Sequence, residues 1–399
     1  MPMNTMSFEQ VSTVLNTIVS QASGKTTLTP TDTSSFIAVA KVGLETGYDP
    51  LMTAISQVLT RTIFSVRPYN RKFGGLYNDS QRWGNHVRKL QVVDKEFEDY
   101  EAYNLVDGQS IDMFKVKKPE VLQTNFYGES AYADHLTIYK DQLDVAFNGP
   151  DEFSRFISMI MQNMSDRIEK SHEELARAAV ANFIGGKILG DSANVIHLLD
   201  VYDAETGLTS DAQTIKQPAN FAPFAKWLFS WIKTTSSLMS ERSVKFHQTF
   251  TIGGVAKPIM RHTPVEYQKL YLYAKELNDI DASVLSGVFQ DRYMQLMDHE
   301  MVNYWQAIDS PMAINLDDAG YTSSAGAATS GAVAEDNVLG ILFDREAIGY
   351  TTINEFSGTT PFNPVGKYSN ICWSFLDRYY NDLTENAVVL LLDHAPTGP

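Results

Sequence analysis

A single long amphipathic helix is the feature that most constrains the fold of this chain. The sequence predicts that it begins at Asn148-Gly149-Pro150-Asp151, with proline and acids in its first turn, and ends at Gly185-Gly186. At 1.5 Å per residue it would be roughly 50 Å long, more than a typical globular helix. Its apolar stripe does not form a clean heptad, which disfavours a coiled coil. The stripe consists of Phe153, Phe156, Ile157, Ile160, Met161, Met164, Ile168, Leu175, Ala179 and Phe183.

The last sixty residues predict a sheet that this helix can cover. Two runs rich in β-forming residues, Val338–Ile353 and Asn370–Asp393, flank a turn region rich in Gly, Pro and Asn. The second run is interrupted by polar residues at Asn381-Asp382 before a final apolar strand, Ala387–Leu392. Because a lone amphipathic helix must bury its stripe, we expect the two elements to pack together. The expected contacts join Phe153, Phe156, Ile160, Met164 and Ile168 to Ile371, Trp373 and Leu390.

Four other segments carry local signals. Residues 1–60 predict short amphipathic helices with little core of their own. His135–Phe147 alternates as a strand that runs directly into the long helix. Thr263-Pro264-Val265-Glu266 has the form of a capping box and predicts a helix to about Glu276. Gly320–Asn337 is so rich in small residues that it predicts an exposed, mobile loop.

The charges of residues 61–112 are arranged in two blocks. Arg61–Leu90 holds seven basic residues and one acid, whereas Gln91–Asp112 holds seven acids and one lysine. Such a switch is typical of a solvated surface, and it also fits an extended loop whose faces meet neighbours of opposite charge. On the second interpretation the contacts between subunits would join Arg82, Arg88 and Lys89 to Glu96, Glu98 and Asp99 of another copy.

Composition excludes several functions. A net charge of −16 over 399 residues disfavours sequence-specific DNA binding. The single cysteine, Cys372, rules out an intramolecular disulfide and a Cys-based metal cluster, and its apolar surroundings predict a buried thiol. The N-terminus lacks the pattern of a signal peptide, and no apolar run approaches the roughly 20 residues of a membrane span.

Enzyme motifs are incomplete. Gly190-Asp191-Ser192 resembles an esterase motif, but it follows a helix rather than lying near the N-terminus. Gly185-Gly186-Lys187 lacks the first glycine and the final Ser/Thr of a phosphate-binding loop. The eight histidines show no paired spacing for a metal. We therefore predict that the chain is not an enzyme, with no catalytic residue, no cofactor and no metal.

The order of these elements resembles the major capsid proteins of tailed phages, which have the Hong Kong 97-type fold, and is nearest in character to those of short-tailed phages. The resemblance rests on order and pattern rather than on a short motif. It is carried by His135–Phe147 followed by the long helix, by the strand–TPVE–helix unit at 255–276, and by the strand runs that close the chain.

The resemblance implies an α+β fold with five parts. These are an N-terminal arm (1–60), an extended β-hairpin loop (61–148), a peripheral domain with the spine helix (149–245), an inserted axial domain (246–337) and the closing sheet of the peripheral domain (338–399). It implies hexamers and pentamers that self-assemble, in the cytoplasm of a host bacterium, into the icosahedral head enclosing double-stranded DNA. Implied partners are a separate scaffolding protein, a portal, and decoration or head-fibre proteins, with no membrane contact.

Two alternative functions stay open at this point. One is the shell of a protein-cargo nanocompartment of the same fold, which the long charged loop disfavours. The other is a soluble α+β enzyme with an unrecognised site. Large assemblies in gel filtration or microscopy would favour the two shell functions, and a monomer with a deep pocket would favour the enzyme.

Overall fold

The computed structural model describes residues 8–24, 29–62, 72–77, 87–94, 105–114, 118–276 and 299–396, together with residues 103, 116 and 278. Its helices are α1 (Phe8–Ser23), α2 (Thr33–Glu45), α3 (Tyr48–Thr62), α4 (Lys140–Ala146), α5 (Pro150–Gly190), α6 (Leu198–Thr206), α7 (Ala212–Ile215) and α8 (Pro218–Ser240). Its strands are β1 (Val87–Val92), β2 (Val121–Phe126), β3 (Glu129–Tyr139), β4 (Val195–His197), β5 (Phe250–Ile252), β6 (Val255–Lys257), β7 (Gln268–Tyr273), β8 (His299–Val302), β9 (Ile314–Thr322), β10 (Ala328–Glu335), β11 (Val338–Asp344), β12 (Ile348–Thr359), β13 (Tyr368–Asn381) and β14 (Ala387–Leu391).

Residue contacts divide the chain into two compact units. Unit 1 comprises Met1–Gly84, Glu129–Leu175 and Thr351–Arg378, and unit 2 comprises Asn85–Gly128, Ala176–Tyr350 and Tyr379–Pro399. The five parts that the sequence predicted are defined by resemblance rather than by contacts, so their boundaries stay a prediction.

Unit 1 is built where the first part of α5 packs on a three-stranded sheet. The strand order is β12-β13-β3, with β3 antiparallel to β13 from Tyr139↔Tyr368 to Glu129↔Arg378. Phe153, Phe156, Ile160 and Met164 share one buried cluster with Ile371 and Trp373, and Ile168 packs against it. The predicted packing of α5 on the strand that carries Ile371 and Trp373, β13, is therefore confirmed. The predicted contact with Leu390 is wrong, because Leu390 belongs to the core of unit 2.

The N-terminal helices contribute to the same cluster. Val11, Leu15, Ile18 and Val19 of α1 are buried in it, as is Phe36 of α2. Helix α2 begins after Asp32, whose Oδ1 accepts a hydrogen bond from the Ser35 backbone N–H at 2.8 Å. The short amphipathic helices predicted here are confirmed, and their apolar faces are buried within unit 1.

Unit 2 contains a five-stranded sheet in the order β4-β14-β11-β7-β8. Strand β14 pairs antiparallel with β11 and parallel with β4, while β11 pairs antiparallel with β7. Helices α6 and α8 cover one face, burying Tyr202, Phe224 and Leu228 with Leu272 and Leu390. The central strands are apolar on both faces because both are covered.

Helix α5 extends four residues beyond its predicted end. Gly185 and Gly186 remain helical, and the helix ends only at Gly190. A Cβ on Gly185 would lie 3.0 Å from the Cβ of Ala319, so the glycine permits close approach of β9 rather than termination. Local glycine content alone therefore gave the wrong boundary.

The predicted strand His135–Phe147 is correct only in its first part. Strand β3 ends at Tyr139, and residues 140–146 form α4. Leu143, Ala146 and Phe147 are buried at helical spacing against the cluster of unit 1. A short helix buries these side chains on one side, which an extended strand could not do.

The predicted helix after Thr263 is wrong. Val265–Tyr267 forms a single 3₁₀ turn, residues 268–273 form β7, and only residues 274–276 at the end of the predicted range are α-helical. The Thr263 hydroxyl donates to Asp344 Oδ2 at 2.8 Å instead of capping a helix, and Gln268 donates to the Thr263 carbonyl at 2.8 Å. Pairing with β11 and β8 in the sheet outweighs the local capping signal.

The prediction that Gly320–Asn337 is exposed is confirmed for most of its residues, but the prediction of a loop is wrong, because most of the segment is paired backbone. Strands β9 and β10 form an antiparallel hairpin, with Ala328↔Thr322 next to its turn. Its small side chains fit against α5, where Gly185 approaches Ala319 and Gly331 approaches Leu189. The predicted start of the next strand at Val338 is confirmed.

The thiol of Cys372 was predicted to be buried, but this residue is only partly buried.

Phe153 provides a test of the helix–sheet core. Its ring is buried and makes edge contacts with Phe36 and Phe147. We expect Phe153→Ala to lower the free energy of unfolding by about 3–5 kcal/mol, because it removes a buried aromatic ring. Met159→Ala on the exposed face of the same helix should change it by less than about 0.5 kcal/mol. Urea denaturation would measure both, and equal effects would contradict this core.

Candidate inter-subunit interface

Strands β1 and β2 form a two-stranded antiparallel ribbon in unit 2. Their register runs from Val87↔Phe126 to Val92↔Val121. Side chains alternate along β1, so that Lys89 and Gln91 are turned inward while Arg88, Leu90 and Val92 are exposed. An isolated two-stranded ribbon is only marginally stable in water, so the contacts of this ribbon with the rest of unit 2 determine its geometry.

The inner face of the ribbon binds a buried turn between β13 and β14, formed by Asp382–Asn386. Lys89 Nζ lies 2.7 Å from Asp382 Oδ2 and also contacts Glu385 Oε1. Gln91 Nε2 donates to the Thr384 hydroxyl at 2.9 Å. These contacts fix one strand of the ribbon to residues almost three hundred positions later in the chain.

Local hydrogen bonds also shape this turn. Asp382 Oδ1 accepts from the Thr384 backbone N–H at 2.9 Å and from its hydroxyl at 2.6 Å. Such a bond from an aspartate to the backbone two residues on stabilises a tight turn. Arg261 supplies a second cation, with Nη2 3.1 Å from Glu385 Oε1.

The pKa values of the two buried carboxyl groups, Asp382 and Glu385, are shifted in opposite directions. Burial acts to raise the pKa of Asp382, but the Lys89 ammonium and the hydrogen bonds from Thr384 together outweigh it and hold that pKa below its usual range. Burial raises the pKa of Glu385 despite the neighbouring Lys89 and Arg261. The pKa of Lys89 is raised, since its two carboxylate partners outweigh its desolvation. The cluster therefore favours the charged forms of Lys89 and Asp382, whereas it disfavours the charged form of Glu385.

A second attachment lies just beyond the end of β1. The Asp94 carboxylate accepts from the Met260 backbone N–H at 2.6 Å and pairs with Arg242 at 2.5 Å. On the partner strand side, Lys257 pairs with Glu120 at 2.5 Å. The ribbon is thus held at two places along its length.

The outer face of the ribbon is apolar and uncovered. Leu90, Val92 and Val121 are each more than half exposed, with Arg88 beside them. A row of adjacent exposed aliphatic side chains is a candidate interaction surface. Chemically, this face offers apolar contact and one basic side chain to a partner.

The six predicted contact residues do not share one location in the structure. Arg88 is exposed on the outer face, whereas Lys89 is bound within its own chain. Arg82, Glu96, Glu98 and Asp99 lie outside the described residues. Sequence reasoning missed Gln91, Thr384 and Glu385, although the polar interruption at Asn381-Asp382 marks the turn that contains Thr384 and Glu385 and that Gln91 contacts.

Other motifs singled out in the sequence have structural roles. Asp191 pairs with buried Lys187 at 2.6 Å and accepts from Asn194 Nδ2 at 2.9 Å, which fixes the chain after α5. Burial lowers the pKa of Lys187 although Asp191 acts to raise it. Within the described ranges, no group of three His, Cys, Asp or Glu is placed to hold a metal. None of the described helices is long and apolar enough to cross a membrane.

Comparison with known proteins gives one family and a set of similar structures. The model of the family described as Phi29-like phage major capsid protein matches residues 15–391. A chain in the capsid structure of Staphylococcus phage Andhra is similar with a TM-score of 0.53 and 11% identity, over 83% of this chain and 86% of that chain. A chain from the structure of the head fiber and inner core protein gp22 of native bacteriophage P68 gives 0.51 and 11%, over 82% and 86%. A search of curated protein sequences gives no significant match. At these identities the structural likeness concerns the fold alone.

Lys89 and its neighbour Arg88 form a matched pair of test positions. Lys89→Met leaves two carboxylates buried without their ammonium, so we expect a loss of about 3–5 kcal/mol in unfolding free energy. Arg88→Met, at an exposed position of the same strand, should change it by less than about 0.5 kcal/mol.

A triple variant tests whether the ion pairs of Lys89, rather than the packing of its side chain, stabilise this turn. Adding Asp382→Asn and Glu385→Gln to Lys89→Met removes the unpaired charges, so most of the lost stability should return. Chemical denaturation at neutral pH would measure the series. A triple variant as unstable as Lys89→Met would show that the ion pairs are not what holds the turn.

Proposed function

The chain belongs to the family of Phi29-like phage major capsid proteins, and we propose that its copies form hexamers and pentamers that tile an icosahedral head around double-stranded DNA. Membership makes it a structural protein of the virion capsid. The observation that carries the proposal is the family match, which extends across residues 15–391. Closed symmetric assembly lets one surface of the chain serve many neighbouring copies.

The outer face of the β1–β2 ribbon is the proposed contact with a neighbouring subunit. Its apolar row, Leu90, Val92 and Val121, would be covered in the shell, and Arg88 would meet acids of another copy. The acidic block that includes Glu96, Glu98 and Asp99 supplies suitable partners, and Arg82 belongs to the same basic block as Arg88. Lys89 would act indirectly, by holding the ribbon in position.

Further partners follow from the assembly of a phage head. We propose a separate scaffolding protein, a portal, and decoration or head-fibre proteins, with assembly in the cytoplasm of the host bacterium. The net charge of −16 supports a shell that encloses DNA without gripping it, since like charges repel.

Charge reversal at Arg88 tests the proposed contact. Each exposed ion pair contributes only about 0–1 kcal/mol, but the contact is repeated at every copy of a shell. We expect Arg88→Glu to prevent or strongly reduce shell formation while leaving the circular dichroism and melting of the subunit unchanged. Negative-stain microscopy of the chain expressed with its scaffolding protein would measure assembly.

The control is charge reversal at Lys89. Lys89→Glu places a third acid beside Asp382 and Glu385, so it should lower the melting temperature of the subunit itself. Shells of normal number and shape from Arg88→Glu would refute the contact. The absence of any shell from the unaltered chain with its scaffold would refute the proposed function.

A further inference from the structure

In unit 2, two histidine–aspartate contacts hold the segment that follows β14, residues 393–396, in place. His394 Nδ1 lies 2.6 Å from Oδ1 of Asp200, which is in the first turn of α6. The Ala395 backbone N–H donates to the other oxygen of the same carboxylate at 2.8 Å. On the neighbouring strand β4, His197 Nδ1 lies 2.7 Å from Asp393 Oδ1. The segment is therefore bound to unit 2 through polar contacts rather than through apolar packing.

Both ring nitrogens of His394 face hydrogen-bond acceptors. While Nδ1 contacts the Asp200 carboxylate, Nε2 lies 2.7 Å from the carbonyl oxygen of Ser210, in the loop between α6 and α7. A neutral imidazole has one donor nitrogen and one acceptor nitrogen, so only the doubly protonated ring can donate to both groups at once. The contacts therefore require that His394 is an imidazolium cation.

The loop that His394 contacts is ordered by bonds of its own. The Ser210 backbone N–H donates to Asp203 Oδ2 at 2.8 Å. Asp211 caps α7, since its Oδ1 accepts from the backbone N–H groups of Gln213 and Thr214 at 2.8 Å. The Ser210 carbonyl is thus a fixed acceptor, and the part that can move is the segment that carries His394.

The charged groups around His394 are mostly acids. Three of them act on its ring and a fourth adjoins it in the sequence, namely Asp200 and Asp203 of α6, Asp211 before α7, and Asp393. From β4, His197 acts on Asp200 and lowers the pKa of that carboxyl, as His394 does. Hydrogen bonds to the Ser210 carbonyl and to Asp200 raise the pKa of His394 above its usual value of 6.5. This environment favours the charged ring that the contacts require.

We propose that the His394 imidazolium is a pH-dependent latch, which holds residues 393–396 against α6 and the Ser210 loop and opens when the ring loses a proton. Loss of either ring proton leaves a nitrogen lone pair facing an oxygen, so one of the two hydrogen bonds is lost. Because the pKa of His394 is raised in the folded chain, the latch is fully closed below about pH 6.5 and opens as the pH rises through the folded-state pKa.

Opening of the latch is confined to the end of the described chain. The Leu392 backbone N–H donates to the Asn337 carbonyl at 2.8 Å, and the residues before it are paired in the five-stranded sheet. We therefore expect the segment to separate from α6 while the sheet stays intact. All of these contacts lie within one chain, so the latch does not depend on the assembly proposed above.

Backbone amide exchange of the full chain, measured by NMR as free subunit, tests the latch. The Ala395 N–H reports its state, because that N–H donates to Asp200 only while the segment is held. Its protection, corrected for the intrinsic exchange rate at each pH, should fall roughly tenfold between about pH 6 and about pH 9. The Leu392 N–H is the control and should keep its protection over the same range. The ring ¹⁵N signals of His394 should show two protonated nitrogens at neutral pH and a transition above pH 6.5.

Two substitutions identify the group that titrates. His394→Gln cannot change its charge, so Ala395 protection should be roughly tenfold lower at about pH 6 and should no longer depend on pH. His197→Gln alters the nearest other histidine of the segment's contacts, and the fall in protection with rising pH should remain.

Several results would overturn the latch. One is a pKa of His394 at or below 6.5, and another is equal Ala395 protection at both ends of the pH range. A fall in protection that persists in His394→Gln, or that disappears in His197→Gln, would assign the titration to another group. If His394→Gln does not fold, the ring titration of the unaltered chain decides. Since every measurement is made on the free subunit, these failures leave the proposed function standing, and a failure to form shells leaves the latch standing.

Discussion

The ion pairs that Lys89 makes with Asp382 and Glu385 determine how the β1–β2 ribbon is attached to its unit. Moving two carboxylates out of water is unfavourable, and a nearby ammonium offsets that penalty only when its geometry is good. The cluster therefore fixes the position of the ribbon more than it adds to the net stability of the fold. Gln91 adds a hydrogen bond on the same strand and Asp94 adds one just beyond its end, so the ribbon has one defined orientation within unit 2.

This arrangement separates the residues that hold the ribbon from those that face a partner. Alternation along β1 puts Lys89 and Gln91 on the inner face and Arg88, Leu90 and Val92 on the outer face. A substitution on the outer face can therefore alter contacts between copies without unfolding the subunit. The basic block of the sequence concealed this distinction, because adjacent residues of one charge have opposite roles.

Helix α5 shows how small residues allow close packing in unit 2. Gly185 and Gly190 are glycines because Ala319 and Tyr321 approach the helix too closely for a side chain. The hairpin β9–β10 uses residues of the same kind, and its backbone hydrogen bonds supply the order that its small side chains do not. A composition typical of a flexible loop is here that of a paired β-hairpin, most of whose residues are exposed.

The sequence by itself determined the features that depend on neighbouring residues. The apolar period of α5, the short helices of the N-terminal residues and the start of β11 at Val338 all follow from local pattern, and so did the order of elements that resembled a phage capsid protein. The tertiary structure alone decided that Thr263-Pro264-Val265-Glu266 leads into a strand and that Gly320–Asn337 is mostly a hairpin. It also decided that Lys89 binds acids 293 and 296 residues away. In each of these cases a local preference of about 1 kcal/mol or less was outweighed by sheet pairing, close packing or buried charge. Such long-range interactions form only once the chain has folded, so a local pattern cannot reveal them.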